Sequence, residues 1–373
     1  MTERTISIGL VGPLAPPSGG MANQTRQLAR LLGEAGIRVV LVQVNAPYIP
    51  GWIEHVRGIR ALFRLVPYLF RLWSCAGRVD LFHVMANSGW AWHLFAAPAV
   101  WVARLRGKPV LVNYRGGGAE EFLAKQVRWV KPTLARATSL IVPSGFLQSV
   151  FAAHGIRAEI VPNIVDLTRF QPGHPESHGP HIVVTRNLEE IYDIPTAIRA
   201  FAQIRARHAG ARLTIAGSGP CRAALEGLCS ELHLAEAVRF TGQLDNEQMA
   251  DLYRPADLLL NPSRVDNMPI SLLEAMASGV PVVSTNAGGV PYMVQDGVSA
   301  LLVPPQDPDE LAYAALRIIE NPHVAAGLRR AGLEAAQAYS WDCVRPRLIG
   351  VYEACLGHAE LRAPGTGVAP SRE

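Results

Sequence analysis

The chain has 373 residues, 49% of them hydrophobic and 18% charged, too long and too apolar for a disordered tail and enough for about two ordinary globular domains. Its formal charge of +4 hides an asymmetry, since residues 1–165 carry 18 Lys and Arg against 7 Asp and Glu, and residues 166–373 carry 17 against 24. A basic half joined to an acidic half suits two domains with different partners, one facing an anionic surface such as a membrane, while the scattered positive residues, without zinc-finger spacing or an aromatic RNA-binding run, argue against nucleic acid.

The first segment, TISIGLVG, predicts a strand. It runs directly from the start of the sequence, and no run of about 18 apolar residues follows anywhere, so neither a secretory signal nor a spanning helix is expected. A proline-rich turn with Gly19 and Gly20 then opens the amphipathic helix NQTRQLARLLGEAG, which ends on a glycine. Backbone amides at such a helix start can face an anion, although a plain strand-to-helix turn explains the glycines equally well. RVVLVQVN is the next strand. The stretch HVRGIRALFRLVPYLFRLW interleaves Arg57, Arg60, Arg64 and Arg71 with Phe63, Leu65, Tyr68, Phe70 and Trp73. It fits a helix lying on an anionic bilayer, kinked at Pro67, or a core helix with a solvated arginine face. LFHVMA is a strand carrying His83, GWAWHLFAAPAVWVARLRGK a buried helix, and PVLVNYRGG, SLIVPSG and AEIVPNIVD three further strands.

FQPGHPESHGPH lacks an apolar period and reads as a linker. Beyond it the alternation restarts: strand HIVVTRN, a helix through TAIRAFAQIRARHAG, then strands RLTIAGSGP, AVRFTGQ, DLLLNPS, VPVVSTNAGG and SALLVPP. Alternating strands and helices specify α/β architecture with parallel sheets. The expected domains are residues 1–170, joined by a returning helix at about 341–358, and residues 178–340, with residues 359–373 too polar to pack. The five cysteines, Cys75, Cys221, Cys229, Cys343 and Cys355, are scattered and never paired as CxxC. They read as reduced thiols of a cytoplasmic protein.

In parallel sheets ligands sit beyond the carboxyl ends of strands. Two glycine loops lie there, Gly217, Ser218 and Gly219 in one and Gly288 and Gly289 in the other. The densest segment is NPSRVDNMPISLLEAMASGVPVV. A polar loop holds Asp266 and Asn267, and Pro269 and Ser271 open a helix that carries Glu274 and stops at Gly279. The two carboxylates can both face the strand ends and accept hydrogen bonds from ligand hydroxyls. The helix start favours a phosphate nearby, although Glu274 can equally serve to complement the helix dipole. The Asp307-Pro308-Asp309 sequence reads as a helix N-cap, and no metal site is expected.

Pro262, Ser263, Asp266, Glu274, Ala275, Met276, Ala277, Gly279, Pro281 and Val282 together resemble the signature block of the retaining glycosyltransferases of family 4. Supporting matches are Gly19 and Gly20, then Pro162, Asn163, Asp166 and Phe170, then the GSGP turn, and GGVP with Asp296 and Gly297. The resemblance spans nearly all of residues 5–357. It implies the GT-B fold, two Rossmann-like domains facing each other across a cleft, with a nucleoside diphosphate sugar in the second. By that likeness Glu274 bonds the ribose hydroxyls, Asp266 with Asn267, Met268 and Pro269 holds the sugar ring, and Arg186 binds the diphosphate. Gly217, Ser218, Gly219 and Gly289 complete the donor side, and Gly19 and Gly20 line its other wall. The acceptor is expected to be a glycan or lipid-linked molecule, reached from the cytoplasm or the inner face of the membrane. No cofactor is implied, the nucleotide sugar being a substrate.

Three positions depart from the family pattern. Asp266 stands where the first family glutamate is usual, and Tyr192 where a lysine is usual. No lysine follows Lys131. Arg115, in NYRGGG, stands where many members have a histidine, leaving Arg115 or His83 for the acceptor or sugar side; a guanidinium is no base at neutral pH. A catalytically silent relative that only binds a nucleotide sugar or a partner enzyme is the alternative. The absence of GxGxxG with a following acid argues against a dehydrogenase.

Overall fold

The structure is a computed structural model that describes residues 6–15, 19–48, 56, 60–173 and 179–357. Arg57, the middle of the expected linker (residues 174–178) and the expected polar tail lie outside the described residues. Two compact units account for the chain: one comprises residues 1–143, 148–161 and 345–373, the other residues 144–147 and 162–344.

The chain runs through β1 (Ser7–Gly12), α1 (Gly20–Glu34), β2 (Arg38–Gln43), α2 (Arg60–Ala76), β3 (Leu81–Ala86), α3 (Ala97–Leu105), β4 (Val110–Tyr114), α4 (Ala119–Leu134), β5 (Ser139–Val142), α5 (Gly145–Ala153) and β6 (Glu159–Ile160). It continues with β7 (His181–Val184), α6 (Ile194–Arg207), β8 (Arg212–Ala216), α7 (Arg222–Glu231), β9 (Val238–Gly242), α8 (Asn246–Tyr253) and β10 (Leu258–Asn261). Last come α9 (Ile270–Ala277), β11 (Val282–Thr285), β12 (Leu301–Val303), α10 (Pro308–Ile319), α11 (Pro322–Gln337) and α12 (Trp341–Leu356).

Each unit holds one six-stranded sheet, in the order β2-β1-β3-β4-β5-β6 in the first and β12-β11-β10-β7-β8-β9 in the second. Every ladder is parallel. Parallel strands covered on both faces read as continuous apolar runs, which is why β1, β3, β4, β7, β10 and β11 are buried along their whole length. In both sheets the strand order reverses once. In the second unit β7 lies between β8 and β10, so the order reverses between β7 and β10, the kind of switch point at which open parallel sheets bind ligands.

Three sequence expectations differ in detail. The strand expected over residues 158–166 pairs only at Glu159 and Ile160, because Pro162 cannot donate to a ladder. The first unit ends at Val161 and not at residue 170. Val165 and Phe170 are buried in the second unit's core with Tyr253, and the Asn163 amide donates to the Met268 carbonyl at 2.8 Å. The helix expected over residues 89–108 begins as a π-helical turn, Trp92–Ala96, before α3. The α2 helix continues through Pro67.

The start and stop signals act locally as their chemistry demands. Asp307 caps α10 by accepting from the Asp309 and Glu310 amides at 3.1 and 3.0 Å, so this aspartate pair is a helix start. Gly36 and Gly279 end α1 and α9 with φ of 79° and 68°, a conformation glycine adopts without Cβ strain.

Candidate active site

The site is assembled at the switch point of the second sheet. Arg186 follows β7 by two residues, and Ser263 and Asp266 follow β10. The Arg186 guanidinium pairs with the Asp266 carboxylate, each side chain only 11% exposed. Nε and Nη2 of Arg186 each donate to the Ser263 hydroxyl at 3.3 Å. Ser263 in turn donates to Asn261 Oδ1 at 2.9 Å, and Asn261 Nδ2 donates to the Ser284 hydroxyl at 2.9 Å. A relay of buried polar groups on β10 and β11 therefore fixes the oxygen on which the guanidinium rests, and such a network is rigid because each member is satisfied.

An aromatic ring also lies against the guanidinium. Tyr192 ends a short 3-10 turn, Glu190–Tyr192, and its ring centroid lies 4.5 Å from Arg186 Cζ, a cation–π arrangement. Burial pulls the Arg186 guanidinium below its ordinary pKa, and the nearby Tyr192, Tyr253 and Glu274 act in the opposite direction. Glu274, half-buried on α9, is pushed up from 4.5 to about 8 by burial, with Arg186 working against that rise. Tyr253 is wholly buried. Its hydroxyl pairs with the Thr185 hydroxyl at 2.7 Å and donates to the Ser271 carbonyl at 3.2 Å, joining the end of β7 to the first turn of α9.

The two glycine loops brace this arrangement from behind. Gly217 has φ of 156°, and a Cβ there would lie 2.0 Å from the Arg186 carbonyl. The Ser218 carbonyl accepts from the Leu188 amide at 3.0 Å, and Gly219 lies against the Leu188 carbonyl. Gly289 donates to the Asp266 carbonyl at 2.8 Å, and a Cβ there would lie 1.7 Å from the Asn267 oxygen. The GSGP turn thus seats the segment after β7, and the GGVP turn seats the segment after β10. Backbone packs on backbone at both places.

The loop itself is held at its far end. Asn267 and Met268 are buried, the Met268 carbonyl is taken by Asn163, and Pro269 caps α9 in an extended conformation. Arg264, a candidate second cation in this loop, pairs with Asp193 at 3.1 Å. Asp193 is buried, left-handed at φ of 46°, and also accepts from the Thr196 hydroxyl at 2.9 Å. The Arg264 amide donates to the Ile191 carbonyl at 2.9 Å. The loops after β7 and β10 are therefore stitched together beside Tyr192.

In the first unit Gly19 caps α1 with extended φ of −178°, and Gly20 begins the helix. Among the described residues nothing lies within 4 Å of a Cβ at either position. His83 is wholly buried within β3. Its Nδ1 pairs with the Tyr352 hydroxyl at 2.7 Å, and its Nε2 accepts from Asn113 Nδ2 at 3.0 Å. Burial, then the Arg115 charge, pull it down to about 3, so the ring is neutral. Both ring nitrogens are used inside the protein, which is a structural engagement for a residue considered for the acceptor side. Arg115 donates from Nε to Asn113 Oδ1 at 3.1 Å and from Nη1 to Gln24 Oε1 at 3.2 Å.

Sequence reasoning set Arg186, Asp266 and Glu274 beyond the strand ends, and in the structure Arg186 pairs with Asp266 and lies near Glu274. It did not foresee the Arg186–Asp266 pair, the Tyr192 stacking, or the Asn261–Ser263 relay, whose only signal was polar residues at alternate positions of an otherwise apolar strand end. Among the described residues no group of three or more His, Cys, Asp or Glu side chains is placed to hold a metal ion.

Comparison with known proteins bears on both units. Residues 18–169 match the family described as Glycosyltransferase Family 4, and residues 179–321 match Glycosyl transferases group 1. An uncharacterized glycosyltransferase of Methanocaldococcus jannaschii is 34% identical over 160 residues, 43% of this chain and 41% of that relative. The chain thus spans less than half of that relative's length. A D-inositol 3-phosphate glycosyltransferase of Catenulispora acidiphila is 26% identical over 94% of this chain and 95% of its own length. Among solved structures, sucrose-phosphate synthase from Thermosynechococcus elongatus aligns with a TM-score of 0.75 at 23% identity, covering 94% of this chain and 99% of that one. HepE of Anabaena, in complex with UDP-glucose, aligns at 0.73 and 18% identity, covering 94% of this chain and 100% of that one. At such identities the two structures speak for the GT-B fold alone.

Proposed function

Because the chain belongs to the family 4 glycosyltransferases of group 1, we propose that it moves a sugar with retention from a nucleoside diphosphate donor, UDP-linked or GDP-linked, to a glycan or lipid-linked acceptor. The observation that carries this reading is the Arg186 guanidinium held at the second sheet's switch point by Ser263, Asp266 and Tyr192, with Glu274 midway along the adjoining helix. HepE, which shares the fold, was solved with UDP-glucose, and this supports a donor of that chemical class.

The geometry suits charge development on a leaving diphosphate. As the sugar–phosphate bond breaks, negative charge grows on the phosphate, and a preorganised guanidinium stabilises that state more than the ground state. Without donor, Asp266 neutralises Arg186. A diphosphate competes with that carboxylate for the guanidinium, so donor binding releases Asp266 to accept from sugar hydroxyls. Glu274 accepts from the ribose hydroxyls. The leaving phosphate takes the acceptor's proton on the same face, so no protein nucleophile is needed. No metal is assigned a role, and EDTA is expected to leave turnover intact.

Slow hydrolysis of donor without acceptor, lost on Arg186→Ala and on Glu274→Ala, tests the proposal. Donor binding without any turnover favours the silent relative, a reading motivated by Tyr192 standing in place of the family's lysine.

A further inference from the structure

The second helix carries a surface that the donor site does not use. One side of α2 is buried through Tyr68, Leu72, Cys75 and Ala76. Its other side exposes Leu62, Phe63, Val66, Phe70 and Trp73 by between 46% and 77%. Residues 62, 66, 70 and 73 recur at helical spacing, so they form one apolar stripe where a solvated helix normally carries charge.

The stripe does not end with the helix. The Arg106 guanidinium lies 4.6 Å over the Trp73 ring, which places the end of α3 beside it, and Leu105 there is 73% exposed. Contiguous exposed apolar surface of this kind marks an interaction site.

The charge of the flanking sequence is of one sign. Between residues 56 and 118 the sequence holds nine Lys and Arg and a single carboxylate side chain, Asp80. Asp80 is engaged inside the unit, accepting from the Ser7 amide and hydroxyl at 2.9 and 2.8 Å. Arg71, Arg104 and Arg106 are exposed. A second copy of this chain docking through the same patch brings arginines against arginines, an arrangement that costs affinity. An anionic bilayer neutralises them while its acyl boundary takes up the aromatic stripe. Among the described residues no helix is long and apolar enough to cross a membrane.

We propose that this face of the first unit lies on an anionic lipid bilayer, α2 in the plane of the interface with Phe70 and Trp73 inserted and Arg71 and Arg104 against lipid phosphates. The proposal does not depend on the donor site.

Flotation of the full chain with phosphatidylcholine vesicles, with and without phosphatidylglycerol, tests it at low and high salt. Binding is expected only to the anionic vesicles and is expected to fall with salt. The pair Phe70→Ser with Trp73→Ser is expected to weaken it at least about tenfold. The pair Arg71→Ser with Arg104→Ser is expected to weaken it about 25-fold, at roughly fivefold per charge. All four residues are exposed, so unchanged circular dichroism and melting are expected for both pairs. Failure to bind anionic vesicles, or unaltered binding by both pairs, overturns the proposal. So does a concentration-dependent dimer that the Phe70 and Trp73 substitutions dissolve, since the occupant is then a second copy.

Discussion

Glu274 and Arg186 have opposite electrostatic problems, and each yields an expectation. The folded carboxyl of Glu274 titrates near 8 and its ordinary value is 4.5. Between those values the folded chain keeps a proton that the unfolded chain releases. Its contribution to stability is therefore greatest below pH 4.5, declines as pH rises to about 8, and is flat above. Glu274→Gln is expected to flatten that slope in melting curves taken from pH 5 to 9. Ribose hydroxyls donate to the ionised form, so donor affinity is expected to rise by up to about tenfold per pH unit between pH 6 and 8 in the parent protein and not in Glu274→Gln. A titration showing the same affinity at pH 6 and pH 8 counts against Glu274 as the ribose ligand. Arg186→Ala leaves the buried Asp266 charge alone and is expected to cost about 3 kcal/mol in denaturant unfolding, whereas Arg186→Ala with Asp266→Asn recovers part of that loss. At this scale the sequence spelled out the residues but not their pairing. Nothing in the spacing of Arg186, Tyr192 and Asp266 tells that a ring lies against the guanidinium and a carboxylate neutralises it, because the loops after β7 and β10 meet there only after the sheet has formed.

Elements were more legible than contacts, for a physical reason. A parallel strand buried on both faces must be apolar throughout, so runs such as HIVV and LLLN show themselves, and capping residues such as Asp307 or stops such as Gly279 mark helix ends. What the pattern conceals is how turns lean on one another. Gly217, Gly219 and Gly289 read from sequence as an anion cradle, yet each lies against the backbone of a segment that carries a site residue. Their exchange acts on the site through that backbone. Gly289→Ala is expected to push the Asp266–Asn267 segment away, lowering donor affinity at least tenfold and destabilising the second unit by about 2 kcal/mol, an overpacking cost. Isothermal titration together with unfolding measures both. An unchanged protein requires that the two turns not be in contact. The α2 helix is the opposite case. Its sequence allowed a core helix or a membrane-surface helix, and the structure gives a helix with one side in the core and an apolar side in solvent.

For the molecule as a whole, the repeated alternation of strand and helix foretold two parallel sheets, and the comparisons agree on GT-B architecture. The passage between units was harder to read. Proline and glycine mark residues 170–181 as a linker, whereas the residues just before it, from Pro162, already pack on the second core. The last helix departs from chain order: α12 contributes Tyr352 to the first unit, where its hydroxyl holds His83. Tyr352→Phe leaves the buried His83 nitrogen without its partner and is expected to cost about 1–3 kcal/mol, read as an earlier unfolding transition, with donor affinity unchanged. At the centre stands the proposed grip of the second unit on a nucleotide sugar through Arg186 and Glu274. Its most direct test is calorimetric titration of the parent protein, Arg186→Ala and Glu274→Ala with UDP-glucose and GDP-mannose. Saturable binding of one donor by the parent, weakened at least tenfold by each substitution, is the expected result; no binding of either donor, or equal binding by all three proteins, contradicts it.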